Sequence, residues 1–125
     1  LDYAHGTGHG VGYFLNVHEG PHAISRGNKV NFQEGMIVSN EPGYYEKNNF
    51  GIRIENLIYV RKIKKNNYFD NLTMAPIDKE LVDFKILNKI EKEWLNNYHK
   101  KVFDNLKKFM NKTEFLELSK SCSAI

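Results

Sequence analysis

Phe50-Gly51-Ile52-Arg53-Ile54-Glu55-Asn56-Leu57-Ile58-Tyr59-Val60 alternates with period two, the repeat of an extended strand whose two faces meet different surroundings. Phe50, Ile52, Ile54, Ile58 and Val60 fall on one face, and Arg53, Glu55, Leu57 and Tyr59 on the other. Arg53 and Glu55 are therefore same-face neighbours. Upstream, Met36-Ile37-Val38-Ser39-Asn40-Glu41 reads as a short buried strand ended by the turn dipeptide Pro42-Gly43, which sets Glu41 at a strand end. Downstream, a strand from about Tyr68 to Ala75 is expected to pair with 50–60 across a Lys64 to Asn67 turn. The zone from about 30 to 76 is thus rich in strands, following a Gly/His-rich segment (1–22).

The tail, about 88–119, has another character. Leu81 to Ile86 reads as a last extended segment, after which Asn88 and Glu91 form an Asn-x-x-Glu capping box, so a helix begins there and runs to about Asn111. Ile90, Trp94, Tyr98, Val102, Leu106 and Met110 recur every four residues, and Leu95, Phe103 and Phe109 widen the stripe beyond what one core face requires. Thr113 is expected to cap a short final helix carrying Phe115, Leu116 and Leu118, with Ser119 to Ile125 frayed. The fold class expected is α/β (α+β), antiparallel strands followed by C-terminal helices, divided into 1–76 and 77–125.

At 125 residues the chain can form one core. Hydrophobic (41%) and charged (26%) fractions are those of ordinary globular proteins, which argues against disorder. The +3 charge is spread out except for Arg61-Lys62-Ile63-Lys64-Lys65, which abuts Asn66-Asn67 and reads as a solvated hairpin end, so nucleic acid is not an expected partner. The single Cys122 permits no internal disulfide and suits a reducing, cytoplasmic setting. No apolar run approaches the roughly 18 to 20 residues that span a bilayer, so no membrane insertion is expected. The chain opens at Leu1, without Met, almost directly on its most chemically loaded segment, which reads as a piece of a larger protein.

That segment is His5-Gly6-Thr7-Gly8-His9-Gly10-Val11-Gly12, followed by His18-Glu19-Gly20-Pro21-His22. A helical His-x-x-x-His zinc motif is rejected because each glycine costs roughly 1 kcal/mol in a helix. In extended chain His5 and His9 share a face, and the glycines let the backbone approach a neighbour closely. The second constellation joins Glu41-Pro42-Gly43-Tyr44-Tyr45 to Gly51-Ile52-Arg53-Ile54-Glu55-Asn56. Two carboxylates at inner strand positions are costly unless paired or bound to a cation. Arg53 answers that need as a salt bridge. A divalent metal answers it equally, and one histidine nitrogen with two carboxylates favours Mn, Zn, Co or Fe over an all-oxygen calcium site. His9, Glu41 and Glu55 are the candidate ligands.

These four motifs, His-Gly-Thr-Gly-His-Gly-Val-Gly, Asn-Val-His-Glu-Gly-Pro, Asn-Glu-Pro-Gly-Tyr-Tyr and Gly-Ile-Arg-Ile-Glu-Asn, resemble in their order the aminopeptidase P family. Ala75-Pro76-Ile77 and Trp94-Leu95-Asn96-Asn97-Tyr98-His99 are similar to the C-terminal extension of its eukaryotic cytosolic members, so the resemblance covers nearly the whole chain. It implies the C-terminal part of the pita-bread fold shared with methionine aminopeptidase, prolidase and creatinase. It also implies two divalent metal ions, manganese, on two aspartates, one histidine and two glutamates, with His9 the histidine, Glu41 the terminal glutamate and Glu55 the bridging one. His5 and His18 would line the substrate pocket and Arg53 would support the ligands. The implied reaction releases the N-terminal residue from peptides with proline at position two. A metal-activated water attacks the Xaa-Pro bond, Glu41 shuttles the proton, His18 donates to the carbonyl oxygen and His5 contacts the substrate backbone. A homodimer through the C-terminal helices is implied as well.

In the family pattern both aspartates precede the His-Gly-Thr-Gly-His segment, and Asp2 is not one of them by position. The 125-residue chain alone is therefore expected to hold metal poorly and to lack peptidase activity. Two other readings stay open: a prolidase acting on dipeptides, and a catalytically inactive pita-bread module that binds peptides.

Overall fold

The computed structural model describes residues 2–14 and 16–125, and over them seven short strands precede two α-helices. The chain divides into two units, Leu1–Thr73 and Met74–Ile125.

In the first unit β1 (Gly8–His9) pairs antiparallel with β2 (Ala23–Ile24). β3 (Ile37–Asn40) pairs with β6 (Asn56–Ile63), which pairs in turn with β7 (Asn66–Asn71), and β4 (Gly43–Tyr45) pairs with β5 (Gly51–Arg53), all antiparallel. The strand expected without interruption over 50–60 is therefore broken at Ile54-Glu55. The cause lies on the opposing strand, where Pro42 has no N–H to donate and the ladder lapses. Register survives the break. Asn40 pairs with Asn56 and Gly43 with Arg53, the same offset on both sides, and Ile54 N–H still donates to the Pro42 carbonyl at 3.3 Å. β3–β4 and β5–β6 are two halves of one bent hairpin. Its apolar row is covered only at one end: Val60 is buried with Val38, whereas Phe50, Ile52 and Ile54 are exposed.

The hairpin between β6 and β7 turns on Lys64-Lys65 alone, tighter than the expected Lys64 to Asn67. Lys64 takes φ 56°, the left-handed value that two-residue hairpin loops use. β7 accordingly starts earlier than expected and ends at Asn71 rather than Ala75. The basic run 61–65 is exposed throughout.

In the second unit Lys79–Leu81 forms a 3₁₀ turn, and 81–86 is not extended. Asp78 and Asp83 each accept a backbone N–H two residues on, at 2.9 Å from Glu80 and from Lys85, and such local bonds compete with a strand. α1 (Lys89–Leu106) starts at the Asn88–Glu91 capping box, with both reciprocal bonds formed. It stops short of Asn111 because Asn111 opens a second box with Glu114 and caps α2 (Lys112–Ser121), in the place expected of Thr113. The row of fours packs from Tyr98 onward but not before: Tyr98 and Val102 are core, and Leu106 and Met110 pack against it. At 3.6 residues per turn each step of four drifts by about 40°. The buried residues of the helix are Leu95, Tyr98, His99 and Val102, while Ile90, Trp94 and Phe109 are exposed. Tyr98, Val102 and Leu118 form the core, with Met74, Ile77, Phe103 and Cys122 packed on it. The chain end is tied rather than frayed: Lys79 Nζ donates to the carbonyls of Lys120 (3.1 Å) and Ser123 (2.8 Å), and Ile125 N–H to Asn96 Oδ1 (3.0 Å).

His99 is fully buried and its Nε2 accepts the Ile77 N–H at 3.1 Å. Burial first, and then the Lys79 charge, push its pKa below the ordinary 6.5. A histidine whose folded pKa lies below the unfolded one contributes stability above about pH 6.5 and loses it as pH falls toward the folded value. Protonation would also set two donors face to face at Ile77. Stability, read by thermal melting, is expected to fall between pH 7 and pH 5, by at most about 1.4 kcal/mol per pH unit from this group. His99→Gln should remove that part of the slope, and an unchanged profile would exclude His99 as its source.

Candidate metal centre

Three strands meet at one point, and their registers decide which side chains arrive there. The segment around β1 runs antiparallel along β3, held by the Gly10–Val38 bridge, by Val11 N–H donating to the Ile37 carbonyl (3.2 Å) and by Glu41 N–H donating to the Thr7 carbonyl (2.7 Å). That register sets His9 beside Ser39, whose Oγ accepts the His9 N–H at 2.9 Å. The approach is closer than a side chain permits. A Cβ on Gly8 would lie 1.8 Å from the Ser39 carbonyl oxygen, and one on Gly10 would lie 2.0 Å from the Glu19 carbonyl oxygen. The glycines flanking His9 are thus a packing requirement.

The bent hairpin supplies the other two groups. Continuing either flanking ladder across the lapsed rung sets Glu41 opposite Glu55 and Pro42 opposite Ile54. His9, Glu41 and Glu55 consequently each present a ligand-type atom, all within 4.8 Å of one another. The expectation that both carboxylates are inner residues holds for only one: the Glu41 side chain is 11% exposed and that of Glu55 42%. Glu55 stands on the rung where the ladder is interrupted.

His9 Nδ1 lies 2.8 Å from the Gly10 carbonyl, which can only accept, so in the neutral ring the proton sits on Nδ1 and Nε2 presents a lone pair. That lone pair faces Glu41 Oε1 at 3.4 Å. Ser39 Oγ donates to the same Oε1 at 2.8 Å. Arg53 Nη1 reaches Glu41 Oε2 at 3.3 Å and Glu55 Oε2 at 3.9 Å, so Arg53 and Glu55 are neighbours despite the break between β5 and β6. The Tyr45 hydrogen bond foremost, with the Glu41 and Glu55 charges, raises the Arg53 pKa still further above its ordinary value.

His5 joins through a chain of donors. Its Nδ1 bonds the Gly6 carbonyl (2.7 Å), so its Nε2 accepts from the Tyr45 hydroxyl (2.6 Å), which in turn accepts from Arg53 Nε (3.1 Å). The His18 ring lies against His9, with centroids 4.1 Å apart. His22 goes elsewhere: it is buried, donates Nε2–H to the Ile37 carbonyl at 2.7 Å and stands edge-on to Phe32. Sequence reasoning quoted Tyr45 within the second constellation without giving it a role, and left Ser39 out of it. Ser39 was visible as the period-two neighbour of Glu41, whereas the Tyr45 contact with Arg53 depends on the β4–β5 pairing.

Two carboxylates against one guanidinium leave a negative charge uncompensated, and a neutral imidazole adds a lone pair aimed at the same point. Such a donor set fits a divalent ion of the first transition row.

Residues 1–62 match the model of metallopeptidase family M24, and residues 67–125 that of the C-terminal region of peptidase M24. The chain is 49% identical to a probable Xaa-Pro aminopeptidase P of Laccaria bicolor, over 100% of this chain and 22% of that protein. It is 53% identical to aminopeptidase P2 of Arabidopsis thaliana, over 85% of this chain and 16% of that protein. Among solved structures it is similar to an X-prolyl aminopeptidase from Caenorhabditis elegans, described as a cytosolic enzyme with a di-nuclear active site. That likeness has a TM-score of 0.84 and 38% identity, over 100% of this chain and 22% of the other. The chain spans about a fifth of the length of the relatives it matches.

Proposed function

This chain belongs to metallopeptidase family M24, and on that footing we propose that it supplies part of the dinuclear centre of an aminopeptidase releasing the N-terminal residue from peptides with proline at position two. The observation that carries the reading is the convergence of His9, Glu41 and Glu55 from three strands, with the His9 lone pair turned inward. The names of the relatives support the Xaa-Pro specificity. Two divalent ions, which we take to be manganese, would supply Lewis acidity at the scissile carbonyl and a water acidic enough to attack at neutral pH.

The residues divide the remaining work. Glu41, oriented by Ser39 Oγ and steadied by Arg53, takes the proton from the attacking water and passes it to the departing proline nitrogen. His18, lying against His9, donates to the carbonyl oxygen as negative charge develops there. His5 contacts the substrate backbone from the Tyr45 side. The exposed Ile90 and Trp94 on α1 support a homodimer through the C-terminal helices. A cytoplasmic location is favoured by the relative described as cytosolic, and no helix among the described residues is long and apolar enough to cross a membrane.

Metal analysis of the full-length protein, with an Xaa-Pro-Xaa peptide assay, tests this reading. Two bound ions per protomer with release of the first residue are expected, and an inactive protein free of metal would refute it. Arg53→Met leaves Glu41 and Glu55 without their shared cation, and manganese affinity is expected to fall about 10- to 100-fold as the carboxylates lose their orientation. An unchanged titration would assign Arg53 to another task.

A further inference from the structure

Resting on that reading, we propose that Arg26 anchors the C-terminal carboxylate of short peptide substrates at the far end of a cleft that begins at His5. A cavity of about 550 Å³ is walled by residues 2–7 together with Ser25 and Arg26. Its size is that of small-ligand sites, a few hundred to a thousand Å³. His5 belongs both to this wall and to the Tyr45–Arg53 chain that ends on Glu41, so the cavity adjoins the candidate metal centre.

Its direction comes from the chemistry of an aminopeptidase. One residue lies on the amino side of the bond cleaved, so a cleft longer than one residue holds the proline and the substrate residues beyond it. Length comes from the strand register. β1 and β2 pair Gly8 with Ile24 and His9 with Ala23, and beyond that ladder Gly6 and Arg26 line the same cavity. Gly6 is three residues from His9, at most roughly 10 Å along the chain, within the span at which a tri- or tetrapeptide carries its carboxylate.

The position already receives a carboxylate. Asp2 Oδ2 lies 3.6 Å from Arg26 Nη2, while Asp2 Oδ1 accepts the Tyr3 N–H at 2.9 Å. The Arg26 and Asp2 side chains are 97% and 76% exposed, so their pair is loosely held and an incoming carboxylate can displace it. Exposure also limits the gain, to about threefold to fivefold in KM.

The test uses the full-length, metal-loaded enzyme with Xaa-Pro tri- and tetrapeptides as free acids and as C-terminal amides, and with a decapeptide in both forms. KM for the short acids is expected to be about threefold to fivefold below that of their amides, with no difference for the decapeptide. Arg26→Gln should raise KM for the acids to the value for the amides, which serve as internal controls for folding, and Asp2→Asn should widen the gap. Calorimetric binding of the Pro-Xaa dipeptide, as acid and as amide, reads the same preference without turnover. Equal KM for acid and amide in the wild type, or a gap that survives Arg26→Gln, would overturn the proposal. Failure of the wild type to cleave any Xaa-Pro peptide would instead overturn the reading on which it rests.

Discussion

Glu41→Gln in the full-length enzyme is expected to lower turnover by at least about two orders of magnitude while the fold survives. The substitution keeps the shape of a side chain that is almost wholly buried, so it opens no cavity. Ser39 Oγ can still donate to the amide oxygen, as it now donates to Oε1. The proton acceptor and one negative charge out of two disappear. The amide NH₂ would also meet Arg53 Nη1, donor against donor, at the oxygen now 3.3 Å away. Turnover, metal content and circular dichroism read these separately. Near-wild-type turnover with normal metal content would remove Glu41 from the role of general base.

Gly8→Ala should do comparable damage without touching a ligand. Its Cβ would lie 1.8 Å from the Ser39 carbonyl oxygen and 2.8 Å from the carbonyl carbon, backbone atoms that cannot rotate away. Relief requires β1 to separate from β3, which strains the Glu41 N–H bond to Thr7 and the His9 N–H bond to Ser39. Overpacking of this kind costs roughly 1 to 3 kcal/mol or more. A displacement of His9 by about 1 Å is enough to cost on the order of 100-fold in rate. Gly27→Ala is the control, since a Cβ there meets nothing within 4 Å. A lowered melting temperature and weakened metal binding for the first variant only is the expected pair of results. Equal behaviour of the two would show that β1 and β3 accommodate a methyl group.

The contrast between these two glycines shows where sequence reasoning reaches its limit. Signals confined to a few neighbouring residues were legible: the Asn88–Glu91 capping box, the β3 strand, and the placing of Arg53 beside Glu55. The ligand candidates His9, Glu41 and Glu55 were legible by type, because a histidine and two carboxylates on apolar strands need a common partner. Features written across strands were not. The break at Ile54-Glu55 is caused by Pro42 on the facing strand, and period-two alternation carries no trace of it. Tyr45 joins His5 to Arg53 only once the β4–β5 register is known. The second Asn-x-x-Glu box, Asn111 to Glu114, was in plain view and lost to the more familiar Thr113, while the row of fours held from Tyr98 to Met110 and failed at Ile90 and Trp94.

The bent hairpin has two ends that answer differently to changes in length. Glu41 and Glu55 face each other across a rung flanked by ladder on both sides, and the loop from Glu46 to Phe50 lies beyond the outer ladder, exposed, with Asn48 already at φ 60°. Extra residues spliced into that loop lengthen it without sliding either carboxylate, and loop entropy grows by only about 0.6 kcal/mol for each doubling. A single residue inserted between Asn40 and Glu41 shifts every pairing on one side by one place and turns Glu41 to the opposite face. The tip can therefore accept an epitope or a spectroscopic probe, while the segment from Ile37 to Pro42 admits no change in the number of its residues.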